Sequence, residues 1–143
     1  MASFSPPPWQ TFLETYFDAY FKARDVVTTL QLLASDATGF GTGPEEVGRR
    51  GQELRDLYLK DLAQMRQPIR YHFSWIEGRM LGDRHALAFG LITLEVDTPE
   101  GPLTFPDLRL TTILAFQEDG WRMLHHHLSE PTRPPDDRES FSL

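Results

Sequence analysis

The sequence predicts an α+β domain, and three observations carry the prediction. Up to Met65, apolar residues recur at helical spacing. After Pro68, long runs rich in β-branched and aromatic residues follow one another with tight turn signals between them. The helical segments precede these long strands instead of alternating with them, the pattern of helices packed on one face of an antiparallel sheet. A chain of 143 residues suits one domain with one sizeable core. That domain is expected over residues 9–130. A proline-rich tail at 1–8 would precede it, and an extended or disordered tail at 131–143 would follow.

The first helix is expected over 8–24. Trp9, Phe12, Leu13, Tyr16, Phe17, Tyr20 and Phe21 fall on one face, and Pro6–Pro8 suit its entry, where a missing N–H costs nothing. Such an aromatic stripe packs a core and can also floor a ligand cavity. Asp25 is placed to cap a second helix running to about Ala34, buried through Val26, Leu30 and Leu33 and weakened by its β-branched start. The segment "DATGFGTGPEEVGRRG" reads as a short strand followed by turns. Thr42 and Glu45 have capping-box spacing, which predicts a helical turn at 44–47. Gly43 and Gly48 have the spacing of a phosphate loop. Arg49 and Arg50 follow where Lys and Ser or Thr are needed, and no apolar strand leads in, so turn chemistry is the better account.

The third helix is expected over 51–66, with Leu54, Leu57, Tyr58, Leu62 and Met65 on its apolar face. At 100° per residue, Asp61 falls near the centre of that same stripe. A carboxylate aimed at a core must be paired, hydrogen-bonded, protonated or met by a cavity. Asp61 is therefore either a structural tie or a general base or acid with a tuned pKa.

Strands are expected at about 69–81, 84–98, 103–118 and 121–129, with turns at "PEG" and "DG". Strict alternation in the last one sets Trp121, Met123, His125, His127 and Ser129 on one side. Arg122, Leu124, His126 and Leu128 take the other. Both sides carry apolar residues, so both should be covered, one by the helices and any cavity, the other by a partner. A homodimer through the outer face of the sheet is the expectation.

Composition narrows the function. Lys and Arg number 14 against 21 Asp and Glu, giving −7. With no basic excess, nucleic-acid backbone binding is not expected. Without cysteine, disulfides and thiolate chemistry are excluded. No run has the roughly 18 apolar residues of a membrane span. The first residues lack the features of a signal peptide, so no membrane association and a cytoplasmic location are expected.

The ending "DGWRMLHHHLSEP" resembles that of SnoaL-like domains in the nuclear transport factor two-like (ketosteroid isomerase-like) superfamily. It also resembles the association domain of calcium/calmodulin-dependent protein kinase II. The resemblance lies in Asp119, Gly120, Trp121, Met123, Leu124, His125, His127 and Ser129. "FGTGPEEVGRRG" and "YLKDLAQMRQPIRY" look like the middle of SnoaL-like domains, and the likeness spans about 9–130. It implies a cone-shaped, curved antiparallel sheet wrapped around the N-terminal helices, with a cavity inside and dimerisation through the sheet. The chain departs from the isomerases in offering no unambiguous catalytic pair; the nearest carboxylate in that region is Asp36. It departs from the kinase hub in having Leu128 where the hub has an arginine.

His125 and His127 on one face could hold two corners of a metal site with His72, Asp61 or Asp107. The resembled families do not depend on such a metal, so no metal and no cofactor are expected. In an acid–base reading, Asp61 or His127 is the catalytic base, and Arg109 neutralises Asp61 or holds an anion. Tyr58, Tyr71, Trp75 and His125 complete the ligand-binding set. Binding of a small organic molecule in the cone is the expected function. The alternatives are a cofactor-independent acid–base enzyme of isomerase, cyclase or dehydratase type, or a dimerisation or assembly module.

Overall fold

The computed structural model describes residues 7–132. The tail expected at 131–143 lies outside the described residues from 133 onward, as does the tail at 1–8 up to residue 6. Helix α1 spans Pro8–Phe17 and continues as a π-helical turn over Asp18–Lys22. The expected first helix therefore exists over nearly its whole length, but its last part is wound more loosely. Ala23 N–H reaches Asp18 O at 2.8 Å, a bond to the fifth residue back. Arg24 then takes φ +51°, a left-handed conformation that ends the helix.

Asp25 caps α2 (Val26–Gln31) as expected, its carboxylate accepting from Thr28 N–H at 3.1 Å. The helix stops short of Ala34. Leu33 and Ala34 instead open strand β1 (Leu33–Phe40), where both are buried. Burial in the sheet outweighs the weak helical preference of "VVTT". The helical turn expected at 44–47 is a reverse turn, with Glu46 N–H on Gly43 O at 3.1 Å and the Glu46 carboxylate taking Gly43 N–H at 3.2 Å. The chain then adds the short strand β2 (Val47–Gly48), paired with Gly39 and Phe40. Helix α3 covers Gly51–Gln64.

The four long strands are β3 (Arg70–Met80), β4 (His85–Thr98), β5 (Gly101–Gln117) and β6 (Gly120–Ser129). They form the expected antiparallel meander. β1 joins β6 in parallel, giving one six-stranded, open sheet in the order β2-β1-β6-β5-β4-β3. Irregular pairing at Ser74 in β3 and at Pro106–Asp107 in β5 lies on either side of β4. Pro106 has no N–H for the ladder, so β5 bulges there, and Asp107 takes φ +50°. The Asp107 carboxylate accepts from Ser74 Oγ at 2.6 Å and its N–H donates to Thr93 Oγ1 at 3.1 Å, tying the bent region together. The curved sheet wraps α1, whose Leu13, Tyr16 and Phe17 are completely buried. The Trp9 indole lies so close over Gly78 that a Cβ there would fall 2.6 Å from the ring. Among the described residues no helix is long and apolar enough to cross a membrane.

One irregularity changes the reading of the terminal strand. Leu114 pairs with Met123, but Ile113 pairs with His125, so Leu124 is an extra residue in β6. Alternation shifts by one at that point. Met123, His126 and Leu128 are buried on the inner face, while His125 is half-buried and His127 exposed on the outer one. The expected grouping of His125 and His127 with Met123 is thus corrected: the two histidines do share a face, but it is the face away from Met123.

Candidate functional site

Inside the cone lies a cavity of about 560 Å³. Its apolar walls come from three sources: Phe21 on the π turn, Leu54 and Leu57 on α3, and Leu94, Phe105 and Leu108 on the sheet. Polar groups reach it from two networks.

The inner network is a chain of three side chains. The Tyr16 and Tyr58 hydroxyls are hydrogen-bonded to each other, and the Tyr58 hydroxyl lies 2.9 Å from His126 Nδ1. Helical spacing sets Tyr16 among the buried aromatics of α1, Tyr58 on the apolar face of α3, and the Leu124 bulge turns His126 inward to meet them. Tyr16 and Phe17 present ring edges and faces to the imidazole, with centroids 6.2 and 6.0 Å away. Gly39 lets β1 lie against this part of β6: a Cβ there would sit 2.5 Å from His126 O. Burial pushes both phenols up, so they stay protonated, and lowers His126 to about 4, so the imidazole is neutral near pH 7. Nε2 of His126 is buried and without a hydrogen-bond partner.

The outer network centres on Asp61. Its Oδ2 accepts from the Tyr20 hydroxyl at 2.7 Å and from Arg24 Nη2 at 3.1 Å. The Arg24 side chain is 4% exposed and that of Asp61 42%. The same guanidinium donates to Met65 O at 2.8 Å and to Tyr20 O at 3.0 Å, closing the C-terminal end of α3 with a positive charge. Burial, Tyr58 and the neighbouring Asp61 raise the Tyr20 phenol well above its ordinary range. Glu45, Glu46 and Lys60 also line the cavity.

Of the residues singled out from the sequence, Tyr58 and Asp61 line this cavity. The other five lie elsewhere. Tyr71 packs on Phe17 and Phe21, but its hydroxyl bonds to Asp18 at 2.7 Å, outside the cavity lining. Trp75 is exposed and stands against Phe89. Arg109 is exposed on β5, opposite Leu91 and Ser129, so the cation beside Asp61 is Arg24 and not Arg109. His125 Nδ1 meets Thr38 Oγ1 at 2.7 Å, and the His127 ring lies 5.2 Å from that of Phe40. Burial, then His127, lowers His125. Among the described residues no group of three His, Asp or Glu side chains is placed to hold a metal.

His126, Tyr16, Tyr20 and Arg24 are the site residues that sequence reasoning missed. The aromatic stripe of the first helix pointed at the two tyrosines as core or cavity floor. Nothing local pointed at Arg24, whose role depends on the left-handed turn after the π segment.

The match to known proteins follows the same outline. The family model of the SnoaL-like domain matches residues 10–133. No curated protein matches significantly. Among solved structures, a candidate dehydratase of the NTF2-like family from Streptomyces avermitilis superposes with a TM-score of 0.77 at 15% identity, over 88% of this chain and 95% of that one. An NTF2-like protein of unknown function from Pseudomonas putida gives 0.74 at 18% identity, over 94% and 92%. The association domain of CaMKII from C. elegans gives 0.67 at 17% identity, over 85% and 92%. These likenesses show the shared cone-like α+β fold. The chain belongs to the SnoaL-like domain family.

Proposed function

We propose that this protein binds a small organic molecule in the cone cavity. The observation that carries this reading is the cavity itself. At about 560 Å³ it has the size of a small-molecule site, and its apolar walls meet polar groups at Tyr58, Asp61 and His126. The engagement of one Asp61 oxygen by both Arg24 and Tyr20 supports binding over proton abstraction by Asp61, because that oxygen already accepts two hydrogen bonds from the protein. Thermal-shift measurement with a panel of aromatic and alicyclic compounds tests the reading. A ligand at about 100 times its Kd adds roughly 2.7 kcal/mol of stability, a clear rise in Tm. Filling the cavity with Leu108→Trp should remove that rise while the variant stays folded. Absence of any shift across the panel would sink the proposal.

A second copy of the chain on the outer face of the sheet is favoured by the aromatic residues there. Trp75 and Phe40 are 44% exposed, with Phe89, Leu91 and Ile113 half-buried around them. Sedimentation equilibrium should show a dimer in wild type and a monomer in Trp75→Lys. A wild-type monomer at high micromolar concentration would overturn it.

A further inference from the structure

The cavity makes no use of His125 and His127. They lie two residues apart in β6, beyond the Leu124 bulge, where both neighbouring ladders are regular. Thr38 and Phe40 of β1 pair with them on one side, and Ile113 and Thr111 of β5 on the other. Alternation therefore sets both imidazoles on the outer face, about 7 Å apart along the strand. Both rings flank one neighbour, with centroids 6.1 and 5.2 Å from that of Phe40. Nδ1 of His125 meets Thr38 Oγ1 at 2.7 Å, which fixes the ring and leaves Nε2 as its second nitrogen. Metal-binding histidines are held in this way, one nitrogen on a hydrogen-bonding partner and the other on the ion. His127 is exposed.

One copy of the chain supplies two imidazoles and no more. Among the described residues no third His, Asp or Glu is grouped with them to hold an ion. Two nitrogens fill half of a tetrahedral site. The pair stands within the apolar part of the face, between Phe40, which is 44% exposed, and the half-buried Ile113. Exposed apolar surface of this kind marks an association site, and a two-fold interface brings a patch on its axis against itself. Resting on the outer-face dimer reading above, we propose that His125 and His127 are half of a divalent transition-metal site, completed by the same pair of a second copy. The donor set selects the ion. Four imidazole nitrogens suit Zn²⁺, Cu²⁺ or Ni²⁺, whereas Mg²⁺ and Ca²⁺ call for oxygen ligands. Thr38 is a positioning residue that acts through His125. Apolar contact is non-directional, so the ion is what fixes how the two sheets cross.

The test uses the full chain without a polyhistidine tag, stripped with EDTA and titrated with Zn²⁺ or Mg²⁺. Calorimetry is expected to give one Zn²⁺ per two chains and no Mg²⁺ binding. Sedimentation equilibrium should show the dimer dissociation constant at least about tenfold lower with Zn²⁺ than in EDTA, because the ion binds the dimer and not the monomer. His127→Gln, at an exposed position, should abolish both effects. Thr38→Val keeps the shape and loses the hydroxyl. It should weaken Zn²⁺ binding by about 10–100-fold and leave the dimer in EDTA as it was. With 15N-labelled histidine, Zn²⁺ should move the resonances of His125 and His127 and spare those of the buried His126. One Zn²⁺ per chain overturns the proposal, as does full binding in His127→Gln. A dimer in EDTA that Zn²⁺ does not tighten also overturns it, and leaves the outer-face dimer reading standing. A monomer both with and without Zn²⁺ counts against that reading and this one together.

Discussion

Two polar networks reach the same cavity, and they are built on opposite terms. Around His126, everything is neutral and buried: two phenols and an imidazole held uncharged by desolvation. Around Asp61, a formal ion pair sits where water still reaches the carboxylate, with the guanidinium sunk against the end of α3. The inner network has no solvent to compensate an error, so its hydrogen bonds are all-or-none. The outer one is screened, and its main structural duty falls on Arg24, not on the acid it pairs with. The first ties α1, α3 and β6 together in the interior; the second closes the end of α3 against the turn after α1.

Tyr58→Phe should break the inner network most severely. It strips His126 Nδ1 and the Tyr16 hydroxyl of their shared partner, leaving two buried groups unmet at about 1–3 kcal/mol each. Chemical denaturation should show a loss of about 4 kcal/mol. A loss under about 1 kcal/mol would mean water already serves these groups.

Acid is the next largest lever. His126 is lowered to about 4 from an ordinary 6.5, so the unfolded chain takes a proton that the folded one refuses. Stability is therefore unaffected above pH 6.5 and falls as pH drops from 6.5 towards 4. At about 1.36 kcal/mol per unit the loss approaches roughly 3 kcal/mol. Denaturation midpoints of wild type and His126→Asn, compared across this window, isolate the term from the carboxylates. Parallel curves would show that His126 titrates normally.

In the outer network Arg24→Met should cost about 2 kcal/mol, because it removes the ion pair and also the donors to Met65 O and Tyr20 O at the end of α3. Asp61→Asn should cost about 1 kcal/mol or less, since its side chain is 42% exposed and the amide still accepts from Tyr20. Measured by the same unfolding experiment, equal losses in the two variants would erase the asymmetry between guanidinium and carboxylate.

These contrasts also separate what was legible in the chain from what was not. The strands were readable because turn chemistry punctuates them. "PEG" and "DG" become the two tight turns joining β4 to β5 and β5 to β6, with Gly101 and Gly120 at φ +114° and +134°. Asp61 stood out because helical periodicity is a local property, and its position on α3 places it at the cavity. Its partner did not, because Arg24 arrives through a π turn and a left-handed residue that leave no mark in the spacing of apolar side chains. Tyr71, Trp75 and Arg109 suit a ligand wall by side-chain type, but they sit on strands whose inward face only the curvature of the sheet determines. The largest miss, His126 for His125 and His127, comes from one extra residue. Both Leu124 and its neighbours suit either face of a strand, so no residue type announces the bulge.

That extra residue has a consequence for how the terminal strand tolerates change. Straightening the bulge with Leu124 kept in the ladder would flip the parity of everything beyond it and send His125 and His127 inward in place of His126. In most strands such a frame change would swap a polar side chain for an apolar one. Here the triplet at 125–127 offers an imidazole to the interior in either frame. The run works as a guard band around one position, keeping an imidazole facing the interior even as the strand's phase drifts by one.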